Sequence, residues 1–411
     1  MIKVCKFGGT SMATADSIKK VGDIVLADKN RKLVVVSAPG AVNGQPKITD
    51  LLIDASKDIG HLNEVKARYE SIVFGLKIDF DLDAEFKIIE QDYWISGTDY
   101  LISRGEYLIA KIFAKFMSME FFDSKHLIML NSKGKVDLKA TARQCKKNLN
   151  FSNSYIVPGF YGAYNNQIVT LGRGGSDISG AIFSYAVGAT LYENWTDVDG
   201  FFVQDPNFVK CKCNKKMSYS QALSLTLDGV TVLHSDSLAI ASLDNIPISI
   251  KNTFDNAKQG TSIVDNYNSP KGKIVGVVIH KDYILCEVTK VCSSFEFNLG
   301  LVVNQFIKHH LPIKQLYFEN NQFCLLLERS PKSTKLLSKI KKFLKEKDQN
   351  IKIKIKNVAL MKVVGNHIQK KVFKQLQAHK LDAVFMGITK GQLTLAMSDD
   401  DSIKLLTNYL T

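Results

Sequence analysis

Lys6-Phe7-Gly8-Gly9-Thr10-Ser11 is the stretch on which the fold turns. The apolar run Ile2 to Cys5 before it reads as a strand. Ile18, Val21 and Val25 after it fall at helical spacing. A lysine and two glycines therefore stand where a strand passes into a helix, and that is a place to bind an anion. Glycine lets the backbone approach a phosphate, free N–H groups point at it, and the helix dipole adds a favourable field. Lys6 contributes a full positive charge. Two glycines alone would read as an ordinary turn; the full string is more specific.

Working outward, the pattern of a strand followed by a helix recurs up to about Val264. Leu33–Ser37, Ile128–Leu130, Tyr155–Val157, Ile168–Leu171, Thr190–Glu193 and Ile246–Ile250 read as short buried strands, with helical stretches between many of them. This predicts a mostly parallel sheet covered by helices on both faces, with ligands at the carboxyl ends of its strands. The residues after each strand are therefore the candidates. Gly172-Arg173-Gly174-Gly175-Ser176-Asp177 follows Ile168–Leu171 and leads into a predicted helix, Ile178–Val187. Arg173 can grip a carboxylate or phosphate through two hydrogen bonds, and Asp177 can accept from an ammonium group or serve a metal. Trp195-Thr196-Asp197-Val198 is a polar turn after Thr190–Glu193, suited to a nucleotide. Ser103-Arg104-Gly105-Glu106 reads as the opening of another helix. Alone, its glutamate is a helix-start residue stabilised by the dipole.

Composition narrows the class. A chain of 411 residues with 45% apolar and 23% charged residues is globular and too long for one core. Lys3 and Lys6 interrupt the first apolar run, against a signal peptide, and no stretch has the apolar length of a membrane span. The seven cysteines are scattered without a C-x-x-C pair, which points to a reduced, cytoplasmic chain with no structural zinc. The net charge of +14 does not signal nucleic acid. Much of the lysine lies on amphipathic segments such as Lys332–Lys347, whose Leu336, Leu337, Ile340, Phe343 and Leu344 form one apolar face. There is no Walker P-loop, no G-x-G-x-x-G and no protein-kinase signature, so phosphate binding rests on Lys6 and the glycine turns.

From about Ile274 the pattern changes. Strands at Ile284–Thr289, Ile313–Phe318 and Gln322–Glu328 accompany helices at Asn298–His310 and Pro331–Lys347. Ile351–Lys356 alternates isoleucine and lysine, as a half-buried strand does. Val358–Val364 starts the order again, with helices at Ile368–His379 and Asp401–Leu410 and strands at Ala383–Met386 and Gln392–Met397. Two units of about seventy residues in strand-helix-strand-strand-helix order predict tandem ferredoxin-like modules.

Six strings occur in the order found in aspartokinases, within the amino-acid kinase family. They are Lys-Phe-Gly-Gly-Thr-Ser at 6–11, Val-Ser-Ala-Pro-Gly at 36–40, Ile-Thr-Asp-Leu-Leu at 48–52, Ser-Arg-Gly-Glu at 103–106, Gly-Arg-Gly-Gly-Ser-Asp at 172–177 and Trp-Thr-Asp-Val at 195–198. The chain resembles that family over about two-thirds of its length. The resemblance implies an amino-acid-kinase-like three-layer α/β/α sandwich over residues 1–264, then two ACT modules at 274–356 and 357–411, with interleaving of the two as an alternative. It implies transfer of the γ-phosphoryl group of ATP, with Mg2+, to the β-carboxylate of L-aspartate. It places Lys6, Gly8, Gly9 and Ser11 at the phosphates, with Lys6 and Asp177 catalytic. Thr196 and Asp197 fall on the nucleotide side. Arg173 pairs with the α-carboxylate of aspartate, Glu106 and Asp177 compensate its ammonium, and Thr49 helps hold it. Magnesium is held largely by substrate and water, without a protein ligand set. A homodimer and feedback by an amino acid such as lysine are implied by the ACT modules, although Ser293–Leu299 lacks a glycine common in the effector loop. Three positions depart from many relatives on the ATP side, Phe202, Asn207 and Thr231. Lys251 is the candidate to compensate. Two other readings stay open: a kinase of another small acid, and a non-catalytic amino-acid sensor on the same fold.

Overall fold

The computed structural model describes residues 1–42, 44–204, 213–289, 295–319, 322–347, 352–389 and 391–409. The chain divides into two compact units. One comprises Met1–Phe202 with Lys212–Asn268, the other Val203–Cys211 with Ser269–Thr411.

Among the described residues of the first unit, eight strands form one sheet. Their spatial order is Glu120–Phe121, Tyr155–Pro158, Arg31–Val36, Lys3–Phe7, Leu191–Thr196, Ile248–Asn252, Thr261–Val264 and Lys216–Ser218. Pairing is parallel except between Ile248–Asn252 and Thr261–Val264. The first strand is central because Val4, Cys5 and Phe7 are apolar on both sides and fully buried. Cys5, Phe7, Val34, Val36 and Trp195 pack under the helix Ala15–Leu26 on one face. Val4, Leu33, Val35 and Val157 pack under the helix Gly175–Ala186 on the other. Thr14 starts Ala15–Leu26 with a reciprocal capping box to Ser17, which fixes where the glycine turn ends.

Three sequence expectations are corrected. Ile128–Leu130 is not a strand; Met129 and Leu130 form only isolated bridges after a short 3-10 turn. The run at Ile168–Leu171 does form a strand, Gln167–Thr170, but it pairs antiparallel with Tyr161–Tyr164 in a separate two-stranded ribbon. Ser103–Glu106 does not open a helix. It lies inside the long helical element Leu82–Met117, whose one break is at Gly97, with φ 80° and ψ −169°. Gly105 is required there by contact, because a Cβ on it would lie 2.9 Å from the Ala38 Cβ.

The second unit is an antiparallel sheet in the order Ile313–Glu319, Gln322–Glu328, Ile274–Thr289, Lys352–Gly365, Gln392–Met397 and Ala383–Thr389. Its two central strands are long. Ile284–Thr289 is the second half of Ile274–Thr289, and the runs read as separate strands on either side of Asn357 fall in one continuous strand, Lys352–Gly365, Ile351 lying outside the described residues. Register shifts between His280 and Tyr283, where Asp282 has φ 67°. On either side of that irregularity the strands follow the ferredoxin-like order, one set around Phe323, Leu325 and Leu337, the other around Val363, Val372 and Leu393. The helix Pro331–Lys347 buries Leu336, Leu337, Ile340 and Leu344, as its apolar spacing predicts.

Candidate active site

The site lies at the carboxyl ends of the two central parallel strands, Lys3–Phe7 and Leu191–Thr196. Lys6 is paired in register with Asn194, and both point toward the helix Gly175–Ala186. Lys6 is only 7% exposed, and its Nζ lies 2.5 Å from Oδ1 of Asp177, in the first turn of that helix. Asn194 Nδ2 donates to the same oxygen at 2.9 Å. Tyr192 Oη donates to the Asp177 carbonyl at 3.0 Å.

Past Lys6 the backbone turns tightly. Gly8 N donates to the Trp195 carbonyl at 3.0 Å, and a Cβ on Gly8 would sit 3.6 Å from Lys6 Nζ. Gly9 lies against the turn that follows the strand Arg31–Val36. Gly40 N donates to the Gly9 carbonyl at 2.8 Å, and a Cβ on Gly40 would be 2.8 Å from the Gly9 carbonyl carbon. These glycines let two strand ends close together beside a buried ammonium, an arrangement with the chemistry to receive an anion.

Glu106 enters from the helix Leu82–Met117. It is 4% exposed, its Oε1 accepts from Ala38 N at 3.0 Å, and among the described residues no hydrogen bond reaches Oε2. Burial pushes its carboxyl up to about 8, against the opposing pull of the Ala38 N–H, the Ser176 hydroxyl and the Lys6 charge. An incoming ammonium group would favour the ionised form of this carboxyl and could pair with its vacant oxygen.

The other predicted residues fall as follows. Thr49 is half-buried in the first turn of the helix Ile48–Ala55, whose Ile48 N donates to Pro39 O at 3.0 Å. Arg173 is exposed on the loop between Gly172 and Gly174, both at positive φ. Thr196 and Asp197 lie one and two residues beyond the Trp195 carbonyl that holds Gly8, and the Thr196 hydroxyl donates to Asp197 Oδ1 at 3.2 Å. Ser11 lies in the turn that follows Gly9. It is fully buried and shares a 2.8 Å hydrogen bond with Thr253 Oγ1, so it fastens the turn to the strand end at Asn252. Lys251 is not a free cation. Its ammonium lies 3.6 Å from Glu193 Oε1 and over the Trp195 ring. Thr231 is exposed in a turn and Phe202 bridges to Cys213, while Asn207 lies outside the described residues.

Two contributors escaped the sequence reading. Phe160 has φ 76°, unusual for an aromatic residue, and its N–H donates to Ser179 Oγ at 3.0 Å. A Cβ on Gly175 would meet the Phe160 ring at 2.6 Å, so this kink is pressed onto the start of the Asp177 helix. Gly159-Phe160 after the strand Tyr155–Pro158 was the signal available. Asn194 is the other; an asparagine inside an otherwise apolar strand could have marked it.

Among the described residues no group of three or more His, Cys, Asp or Glu is placed to hold a metal ion, and no helix is long and apolar enough to cross a membrane.

An α/β sandwich with glycine turns closing beside a buried lysine at the ends of its central strands has the form of a small-molecule kinase. Residues 1–252 match the pattern of the Amino acid kinase family, and the chain belongs to that family. Within it the relatives are aspartokinases. Aspartokinase 3 of Bacillus subtilis is 30% identical over 75% of this chain and 74% of its own length. The crystal structure of Clostridium acetobutylicum aspartate kinase is 30% identical and superposes with a TM-score of 0.89, covering 100% of this chain and 99% of that one. The Escherichia coli aspartokinase III structure in complex with lysine and aspartate has the same fold, with a TM-score of 0.78 at 22% identity over 99% of this chain and 98% of that one.

Proposed function

We propose that this chain is an aspartate kinase, transferring the γ-phosphoryl group of ATP to the β-carboxylate of L-aspartate to give 4-phospho-L-aspartate and ADP. The observation that carries the reading is the juxtaposition of a buried lysine, two backbone-cradling glycine turns and two carboxylates, Asp177 and Glu106, within one unit. The relatives named above act as aspartate kinases, which selects the substrate.

The acceptor carboxylate is already ionised at neutral pH, so no general base is needed and catalysis rests on positioning and charge neutralisation. Lys6 leaves Asp177 for the transferring phosphate and stabilises its charge. Gly8 and Gly9 present backbone to the phosphates. Arg173 swings from its exposed loop onto the α-carboxylate, and Glu106 and Asp177 take the ammonium, with Thr49 alongside. Thr196 and Asp197 line the nucleotide. Magnesium, arriving with ATP, would supply charge neutralisation at the phosphates and would be held largely by substrate and water.

The catalytic domain is assigned to 1–264. The ACT modules are assigned as interleaved, the strand half at 274–280 completing the module that begins near 357. These modules are proposed to hold a cytoplasmic homodimer and to bind lysine as effector. Ser293 and Ser294 of the expected effector loop lie outside the described residues.

Coupled ADP release with L-aspartate, L-glutamate or no acceptor tests the reading. Turnover with aspartate alone is expected. Turnover with glutamate and not aspartate would move the substrate, and none with either would favour the sensor.

A further inference from the structure

We infer that Asn194 is a positioning residue that keeps the Asp177 carboxylate in place while Lys6 moves to the phosphate. This rests on the kinase reading above. Asp177 Oδ1 has two donors, Lys6 Nζ at 2.5 Å and Asn194 Nδ2 at 2.9 Å. The two donors are register partners on adjacent parallel strands, so both side chains rise from the same level of the sheet. As the chain stands, Asp177 occupies the ammonium that the reaction requires. Turning Lys6 toward a phosphate removes the stronger donor from a carboxylate that is largely shielded from water. Until the substrate ammonium pairs with it, a carboxylate with no second donor would follow the lysine or rotate away.

Asn194 resolves this without adding charge. Its amide stays on Oδ1 and is itself fixed, 1% exposed, with Nδ2 also 3.3 Å from Tyr192 Oη. Its Oδ1 is buried, and among the described residues no hydrogen bond reaches it. A buried asparagine with half of its amide unsatisfied is a poor choice for stability alone, since an apolar side chain of similar shape would leave no vacant acceptor.

The test compares Asn194→Leu with wild type in ADP release and thermal melting. Expected is a fall in kcat on the order of tenfold to a hundredfold, an unchanged KM for ATP, and a melting temperature equal to or above wild type. Ser184→Ala, which removes a buried bond to Gly180 O further along the same helix, is expected to lower stability while keeping kcat. If Asn194→Leu does not fold, Asn194→Asp is read instead, and its second carboxylate beside Lys6 should depress kcat further. Near-wild-type kcat in the variant that folds overturns the inference, as does a kcat loss that simply follows a loss of stability. A wild-type chain inactive with aspartate would remove the kinase reading and this inference together. An active wild type with an equally active Asn194→Leu removes this inference alone.

Discussion

The central strand Leu191–Thr196 carries a polar cluster on each face, and the two are built in opposite ways. On the face toward the helix Ala15–Leu26, Glu193 is 1% exposed and fully partnered. Arg31 grips it with Nε at 2.6 Å and a second guanidinium nitrogen at 3.2 Å, Trp195 Nε1 donates at 3.2 Å, and Lys251 stands 3.6 Å away. Burial pushes the Glu193 carboxyl up, but the Arg31 pair, with Lys251 and Trp195 behind it, outweighs that and holds it below its ordinary value. On the face toward the helix Gly175–Ala186 stand Lys6, Asp177 and Asn194, and Glu106 reaches the strand ends beside them from the helix Leu82–Met117. Among the described residues this cluster leaves Glu106 Oε2 and Asn194 Oδ1 without hydrogen-bond partners. A saturated buried network ties strands together. An unsaturated one keeps vacancies that substrate groups can fill.

The largest effect should come from breaking the saturated face. Arg31→Met leaves Glu193 with one distant cation, and is expected to cost about 3–5 kcal/mol of stability, read by urea unfolding, while enzyme that remains folded turns over normally. A loss below about 1 kcal/mol would mean that Lys251 alone satisfies Glu193.

On the unsaturated face, Lys6→Ala should lower kcat by about 10²–10³-fold with little change in aspartate KM. A rise in aspartate KM at preserved kcat would assign Lys6 to the substrate instead.

Glu106→Gln sharpens the contrast through pH. The folded carboxyl titrates near 8, above its ordinary value of 4.5, so the folded state holds this proton more tightly than the unfolded chain does. Glu106 is therefore harmless to stability below its unfolded value and increasingly costly as pH rises toward 8, by a few kcal/mol on the order of magnitude. The Gln variant should gain stability relative to wild type between pH 5 and pH 9 (roughly the window between the two titrations), and should bind aspartate poorly. Parallel melting curves for the two proteins across that range would remove the argument.

The smallest effect is expected at Arg173. Its loop is exposed, so Arg173→Lys should leave stability unchanged. It should raise aspartate KM by about tenfold, because an ammonium cannot reproduce a bidentate grip. An unchanged KM would free the α-carboxylate from Arg173.

Much of this was legible in the sequence, for reasons that the misreadings expose. Lys6-Phe7-Gly8-Gly9 was readable because charge, backbone freedom and strand-to-helix position coincide in one short string. Ile168–Leu171 was misplaced because an apolar run looks the same in a parallel sheet and in a hairpin; only its partner, Tyr161–Tyr164, distinguishes them. Glu106 was placed at a helix start because Ser103-Arg104-Gly105-Glu106 was read as the opening of a helix. Gly105 is instead a contact glycine under Ala38, in mid-helix, where Glu106 is buried. Val358–Val364 was read as starting the second unit, although one strand, Lys352–Gly365, runs through Asn357. Glu193 and Asn194 are adjacent in sequence and opposite in role. Their difference lies in the partners that each face supplies, and these come from distant parts of the chain.

The central claim is that the unsaturated face is where aspartate is phosphorylated and the saturated face only supports it. Aspartate-dependent ADP release, measured at low temperature for Glu106→Gln and Arg31→Met beside wild type, tests it most directly. The account predicts a stable but nearly inactive Glu106→Gln and a destabilised but active Arg31→Met. An active Glu106→Gln with an inactive, well-folded Arg31→Met would contradict it.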